Sequence, residues 1–176
     1  MPGRDTTTSP IEAVLLMLAA TCFPSPASAQ GSGAVLGAGA GGTYYCIVSR
    51  CDTGVLLVAT GGYGPMPFLL FEGGVRWHGC PDCSRFLIAE VSAVLRYPGD
   101  RFSPYVALGG GLSSDPDFMG DEAGLHAAVG TWYWVSRAWG MRAEVRGRQV
   151  GRGDHMGEAS VGVAYRFSRA GRQAFP

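Results

Sequence analysis

The sequence predicts an all-β fold, an eight-stranded antiparallel up-and-down transmembrane β-barrel, and three observations support this prediction. First, the segment Glu158–Phe167 alternates apolar residues with small or polar ones, over the length that a tilted strand needs to cross a bilayer. Second, the connections between candidate strands alternate between tight turns and longer polar loops. Third, 28 glycines accompany 47% hydrophobic but only 16% charged residues, a composition typical of barrels.

The chain is predicted to hold one domain behind an export signal. Its 176 residues suit a single domain, and the equal numbers of basic and acidic residues give no reason to expect a nucleic acid partner. The apolar run Ala13–Phe23 is too short to span a membrane as a helix, and small residues at Ala27 and Ala29 form a cleavage site. We therefore expect a signal peptide at 1–29, a barrel domain at 30–167 and a short C-terminal tail at 168–176.

Cys22 raises the alternative of a lipoprotein anchored at that residue. The preceding Leu18-Ala19-Ala20-Thr21 fits a lipidation signal poorly, because Thr21 stands where glycine or alanine is expected. We therefore predict cleavage after Ala29.

Eight strands follow in the mature chain, separated by turn residues. Tight turns follow the second, fourth and sixth strands, whereas longer polar segments follow the first, third, fifth and seventh. Both ends of the barrel domain therefore lie on the side of the tight turns. The predicted strands are 34–45, 54–64, 68–78, 85–97, 102–113, 125–136, 141–151 and 158–167.

The two faces of the predicted strands differ in polarity. In the fourth strand the odd residues from Leu87 to Tyr97 are apolar, whereas Glu90, Ser92 and Arg96 occupy even positions. The third and seventh strands repeat the pattern, but the first two are rich in glycine, alanine and valine and specify their facing weakly. So many charges on one face indicate a barrel lumen, with the apolar face in lipid. The predicted lumen charges are Glu72, Arg76, Glu90, Arg96, Arg142, Glu144, Arg146, Arg148 and Arg166.

The interior of an eight-stranded barrel is just wide enough for side chains to fill it. The lumen charges are therefore predicted to pair as Arg and Glu and to plug the barrel. The excess of arginine leaves a narrow pore that favours anions as an alternative.

The final strand points to a family. Val161, Val163, Tyr165 and Phe167 share one face, and the strand ends on an aromatic residue. With the strand and loop pattern, this segment resembles the eight-stranded outer-membrane β-barrels of OmpA/OmpX type from Gram-negative bacteria. The resemblance implies export through the periplasm to the outer membrane and a monomer that contacts outer-membrane lipid. It also implies that these four residues are the signal read by the barrel-assembly machinery.

Four cysteines fall in two loops of the mature chain, Cys46 and Cys51 in the first and Cys80 and Cys83 in the second. Export into an oxidising compartment favours disulfides, with three possible connectivities, of which pairing within each loop is the simplest. A zinc site with four thiolate ligands is the alternative.

No catalytic motif is present, so we predict neither an enzyme nor any catalytic, cofactor-binding or metal-binding residue. Small outer-membrane barrels include lipid-modifying hydrolases and acyltransferases, and a soluble ligand-carrying barrel is a further alternative. We predict a structural or surface-interaction role through the loops. The residues that a lipid-modifying enzyme would use are expected at the loop-side rim, namely His78, His126, His155, Ser113, Ser114 and Asp115.

Overall fold

The computed structural model describes residues 33–47, 50–79, 85–114, 122–150 and 154–167. These residues form eight antiparallel strands that close into one barrel, in the order of the chain. The predicted fold is therefore confirmed. The strands are β1 Gly33–Ile47, β2 Arg50–Met66, β3 Leu69–Gly79, β4 Phe86–Arg96, β5 Phe102–Ser114, β6 Glu122–Trp134, β7 Trp139–Val150 and β8 Asp154–Phe167.

The barrel closes where the first strand meets the last. One edge of β1 pairs with β2, and its other edge pairs with β8 from Ala34 opposite Phe167 to Cys46 opposite His155. Closure leaves the sheet without a free edge, which is the condition for a sheet to lie in lipid. Within the residues that the structure describes, no helix is long and apolar enough to cross a membrane.

The two faces of each strand follow the predicted alternation. In β4, Ile88, Glu90 and Val94 are buried, whereas Val91 keeps 62% of its surface exposed. Because the sheet is closed, the buried face lines the lumen and the exposed face is the outer wall. β1 and β2, whose facing was weakly specified, obey the same rule. Exposed apolar side chains of the outer wall include Leu36, Leu57, Phe71, Leu108, Leu125, Val129, Val145, Val161 and Val163.

The largest departures from the predicted boundaries are two early strand starts. β2 starts at Arg50 and β8 at Asp154, each four residues before its expected first residue. Both extensions lie in segments that were interpreted as polar loops. The ladder between β1 and β2 continues to Ile47 opposite Arg50, and backbone pairing does not require an apolar face there.

The β1–β2 hairpin contains a disulfide between Cys46 and Cys51, which are partners in the strand ladder. The first loop therefore has the local pairing, and a zinc site with four thiolates is wrong because two of these sulfurs are bonded to each other. Cys80 and Cys83 lie outside the described residues, as do the predicted signal peptide and tail. The part of the chain that is described contains no cluster of His, Cys, Asp or Glu able to hold a metal ion.

Candidate functional site

The centre of the lumen is occupied by Arg76, whose side chain projects from the inner face of β3. Its Nε lies 2.7 Å from Glu90 Oε1 on β4, and Nη1 and Nη2 lie 2.6 Å from Glu158 Oε2 and 2.5 Å from Glu144 Oε1. Glu144 is on β7 and Glu158 on β8, and neither strand pairs with β3. Arg76 therefore connects opposite walls of the barrel.

A second group lies closer to the tight-turn end and involves Arg142 of β7. Its Nη1 and Nη2 donate to the two carboxylate oxygens of Glu72 over 2.7 and 2.9 Å, the bidentate geometry that gives strong Arg–carboxylate pairs. Nη2 also donates to Glu144 over 2.6 Å, and Nε donates to the Tyr105 hydroxyl over 2.7 Å. That hydroxyl in turn donates to Glu144. Glu144 therefore joins the two groups.

Arg146 and Arg148 complete the network from the inner face of β7. Arg146 Nη1 lies 2.8 Å from Glu90 and Nη2 lies 3.0 Å from Glu144, while Arg148 pairs with Glu90 and, over 3.3 Å, with Glu158. All these side chains except Arg142 are at most 4% exposed. The lumen network is defined as four guanidinium groups and four carboxylates, which balance in formal charge: Arg76, Arg142, Arg146, Arg148, Glu72, Glu90, Glu144 and Glu158.

Sequence reasoning missed one member of this network, Glu158. It is 3% exposed and shares its face of β8 with Ser160, so alternation alone could have placed it in the lumen. The predicted strand begins at Glu158, and the predicted lumen charges do not include it.

Two of the predicted lumen charges, Arg96 and Arg166, do not join the network. They lie at the tight-turn end of the barrel, where Arg96 Nε donates to the Pro67 carbonyl over 2.8 Å and Arg166 donates to the Arg137 carbonyl. Within the described chain neither forms an ion pair with a carboxylate. Both have the predicted facing, but alternation does not determine depth along the barrel axis.

An apolar layer fills the lumen between the network and the tight-turn end. It is built from large side chains on β3, β4 and β6 and smaller ones on β1 and β8, all 5% exposed or less. Trp132 stacks at a tilt on Tyr105, 4.2 Å between ring centroids, and so joins the layer to the network. The layer was not predicted from sequence. It comprises Val35, Leu70, Val94, Trp132, Trp134 and Ala164.

The histidines expected at the loop-side rim have different positions. His126 is inside the lumen, where its Nε2 lies 2.8 Å from Ser92 Oγ and its Nδ1 lies 3.8 Å from Glu90. His78 lies at the loop-side end of β3, where it is 1% exposed and stacks on Phe86, so the rim placement was wrong for His126. Only His155 is exposed.

The Ser92 and His126 pair does not amount to a nucleophilic triad. A triad needs a carboxylate bonded to the second ring nitrogen, whereas 3.8 Å is too long for that bond. Glu90 is also engaged by Arg76, Arg146 and Arg148. Of the other candidate residues, Ser113 is buried, Ser114 is half-buried and Asp115 lies outside the described residues.

The end of β8 presents the aromatic face that the sequence indicated. Val161, Val163 and Phe167 are 65%, 54% and 47% exposed on the outer wall. Tyr165 packs edge-on against Trp139 and against Phe167, with centroids 4.9 and 4.8 Å apart. Aromatic side chains at this depth suit a membrane interface.

Comparison with known proteins gives a family match. The family model described as "Outer membrane protein beta-barrel domain" matches residues 13–167. No match was found among curated protein sequences.

Solved structures share the fold at low sequence identity. Neisserial surface protein A (NspA) is 19% identical over 78% of this chain and 100% of its own, with a TM-score of 0.66. The N-terminal barrel domain of Pseudomonas aeruginosa OprF is 18% identical over the same shares, with a TM-score of 0.61. Ail, the attachment invasion locus protein of Yersinia pestis, is 16% identical, again over 78% and 100%, with a TM-score of 0.57.

Proposed function

Because this chain belongs to the outer membrane protein β-barrel family and lies in the cell outer membrane, we propose that it is a closed structural barrel that presents its loops to the outside. The observation that supports this role best is the filled lumen. A barrel whose interior is occupied by paired charges and packed aromatic rings offers no path to solutes, so its working surfaces are the outer wall and the two ends.

The lumen network and the apolar layer would each obstruct an ion that entered the barrel. The lumen network spans the barrel from β3 and β4 to β7 and β8, and each of its carboxylates contacts at least one guanidinium group. An ion that entered would have to break such pairs, and each broken pair would leave a buried charge without compensation. Below it, the apolar layer offers no polar partner along most of its surface.

The loop side supports an interaction role. The disulfide between Cys46 and Cys51 ties the β1–β2 hairpin close to its tip, where Tyr44 is 53% exposed. A tied hairpin loses less conformational entropy when a partner binds than a free loop does. We further propose that lipid contacts the outer wall and that the barrel-assembly machinery reads the aromatic end of β8. The protein acts as a monomer.

Planar-bilayer recording of the refolded protein tests the closed lumen. We expect wild-type insertions to raise no stepwise conductance, whereas the double variant Glu72→Ala with Arg142→Ala, which removes a neutral pair, should show transient openings. The matched control is Asp52→Ala with Arg85→Ala, which removes one charge of each sign from a half-buried and an exposed position outside the lumen network. Steady anion-selective channels from folded wild-type protein would favour the narrow pore instead.

The same preparation tests the absence of catalysis. Refolded protein incubated with phospholipid and with lipid A should leave the masses of both unchanged. A loss or gain of an acyl chain that His126→Ala abolishes would show a lipid-modifying enzyme.

A further inference from the structure

The tight-turn end of the lumen forms a mouth that contains hydrogen-bond donors with too few acceptors. Arg96 and Arg166 come from β4 and β8, on opposite sides of the barrel, and their positive charges lie within range to repel each other. Their planar end groups are the side chains that best match the geometry of phosphate oxygens.

Both guanidinium groups are held in place by rigid turns. Arg96 Nε donates to the Pro67 carbonyl in the β2–β3 turn, and Arg166 Nε and Nη2 donate to the Arg137 carbonyl in the β6–β7 turn, 3.2 and 3.1 Å away. The Nη atoms of Arg96 and Nη1 of Arg166 have no hydrogen-bond acceptor in the described part of the chain. The donors are thus fixed and available without rearrangement.

An indole ring lies under Arg166. The guanidinium carbon of Arg166 stands 4.3 Å above the ring of Trp134, a residue only 3% exposed. The indole Nε1 of Trp134 is buried and has no hydrogen-bond partner among the described residues. Because this ring stacks on the Arg166 guanidinium group, its indole N–H signal reports on what Arg166 binds.

The charges around the mouth leave it positive. Arg101 and Arg137 lie in the neighbouring turns, and Asp100 is the acidic residue in electrostatic range of Arg166. One carboxylate against four guanidinium groups leaves a net positive charge. The Arg96 Nη2 end lies beside Gly64 of β2, where a Cβ would be 3.6 Å from it.

From these donors we propose that the tight-turn mouth binds a phosphate group through Arg96 and Arg166. The phosphate approaches from the tight-turn side, which faces the periplasm in outer-membrane barrels, either as a free phosphate or as the headgroup of an anionic phospholipid. The site is separate from the lumen network, because the apolar layer lies between them.

NMR spectra of the ¹⁵N-labelled full mature chain test the site, because the sequence has only four tryptophans and hence four indole N–H signals. In nonionic detergent, sodium phosphate at constant ionic strength should shift the Trp134 signal, identified by Trp134→Phe, to a saturating value. Arg96→Gln and Arg166→Gln should each weaken the apparent affinity about tenfold, since each removes one charge-assisted contact. The matched control is Arg85→Gln, which removes the same charge at the loop end.

A second arm separates the two sources of phosphate. Nanodiscs of phosphatidylglycerol, compared with phosphatidylcholine, should reproduce the shift without added phosphate if the headgroup is the ligand. Saturation by free phosphate, or a phosphatidylglycerol shift that both arginine variants abolish, supports the site and names its source. Failure of both arms, or an equal response in Arg85→Gln, overturns it. Heat modifiability in a detergent gel checks that each variant is folded.

Discussion

The inner wall of this barrel has two unlike halves. The half built by β3–β7 contributes large and charged side chains to the lumen, including Arg76, Arg142 and Trp132. The half around the contact of β1 and β8 contributes glycine on facing positions, with Gly39 opposite Gly162 in the ladder. This small barrel holds a large internal network because another part of its wall contributes no side chains to the lumen.

The glycines at this contact let the two backbones approach each other closely. A Cβ on Gly39 would lie 2.6 Å from the Val161 carbonyl oxygen, and a Cβ on Gly162 would lie 2.7 Å from the Gly39 Cα. Real Cβ atoms do not approach backbone so closely. Glycine there lets the two strands coil against each other, as deliberate glycine kinks do in designed barrels.

The largest expected effect comes from breaking the charged half at its centre. Arg76→Ala leaves Glu90, Glu144 and Glu158 with one guanidinium group fewer in a buried site, so we expect a loss of about 3–5 kcal/mol in the free energy of unfolding. Urea titration of the refolded protein in liposomes, followed by tryptophan fluorescence, measures it. A loss below about 1 kcal/mol would mean that the network is hydrated and the two halves are equivalent.

The outer face of the same half offers the next test. Val91→Arg places a charge on the lipid side of β4 and should cost about 2–4 kcal/mol if the residue is near the bilayer midplane. Val91→Leu is the control, because it keeps the face apolar. If both variants unfolded at the same urea concentration, Val91 would not contact lipid.

The glycine half is tested by adding a single methyl group. Gly39→Ala should cost about 1–3 kcal/mol, because the new Cβ meets backbone that cannot move aside. The matched control is Gly147→Ala on the outer wall, where nothing lies within 4 Å of the added Cβ. Equal stability of the two variants, measured by the same urea titration, would remove the distinction between the halves.

The smallest effect is expected at the mouth. Arg96 faces the lumen, as the network residues do. Arg96→Ala should nevertheless change the free energy of unfolding by less than about 1 kcal/mol, as is usual for partly exposed charges. A loss close to that of Arg76→Ala in the same titration would place Arg96 inside the network after all.

The sequence predicts the facing of side chains better in the charged half than in the glycine half. In β4 and β7 the alternation of charge with apolar residues is regular, and facing was predicted correctly for Glu90, Val91 and Arg146. In β1, glycine and alanine carry no such contrast, so facing there emerged only from the pairing with β8.

The sequence also did not predict how deep each side chain lies along the barrel axis. Arg96 and Arg76 look alike in their strands, yet one lies at the mouth and the other at the centre, because depth depends on how far neighbouring strands are staggered. Because of the same stagger, His126 lies inside the lumen and not at the rim, where we expected it. Long-range contacts such as Arg76 with Glu158 lie outside any local pattern.

The split of the lumen network between two hairpins bears on how the chain folds. The β3–β4 hairpin brings Arg76 with two glutamates, whereas the β7–β8 hairpin brings three arginines with Glu144 and Glu158. The network residues of the two hairpins therefore carry opposite net charge, negative in the first and positive in the second. Neither can rest with its inner face in hydrocarbon until the other is opposite it, so closure and burial of the charges form a single cooperative kinetic step. Half-closed intermediates should accordingly be too short-lived to accumulate.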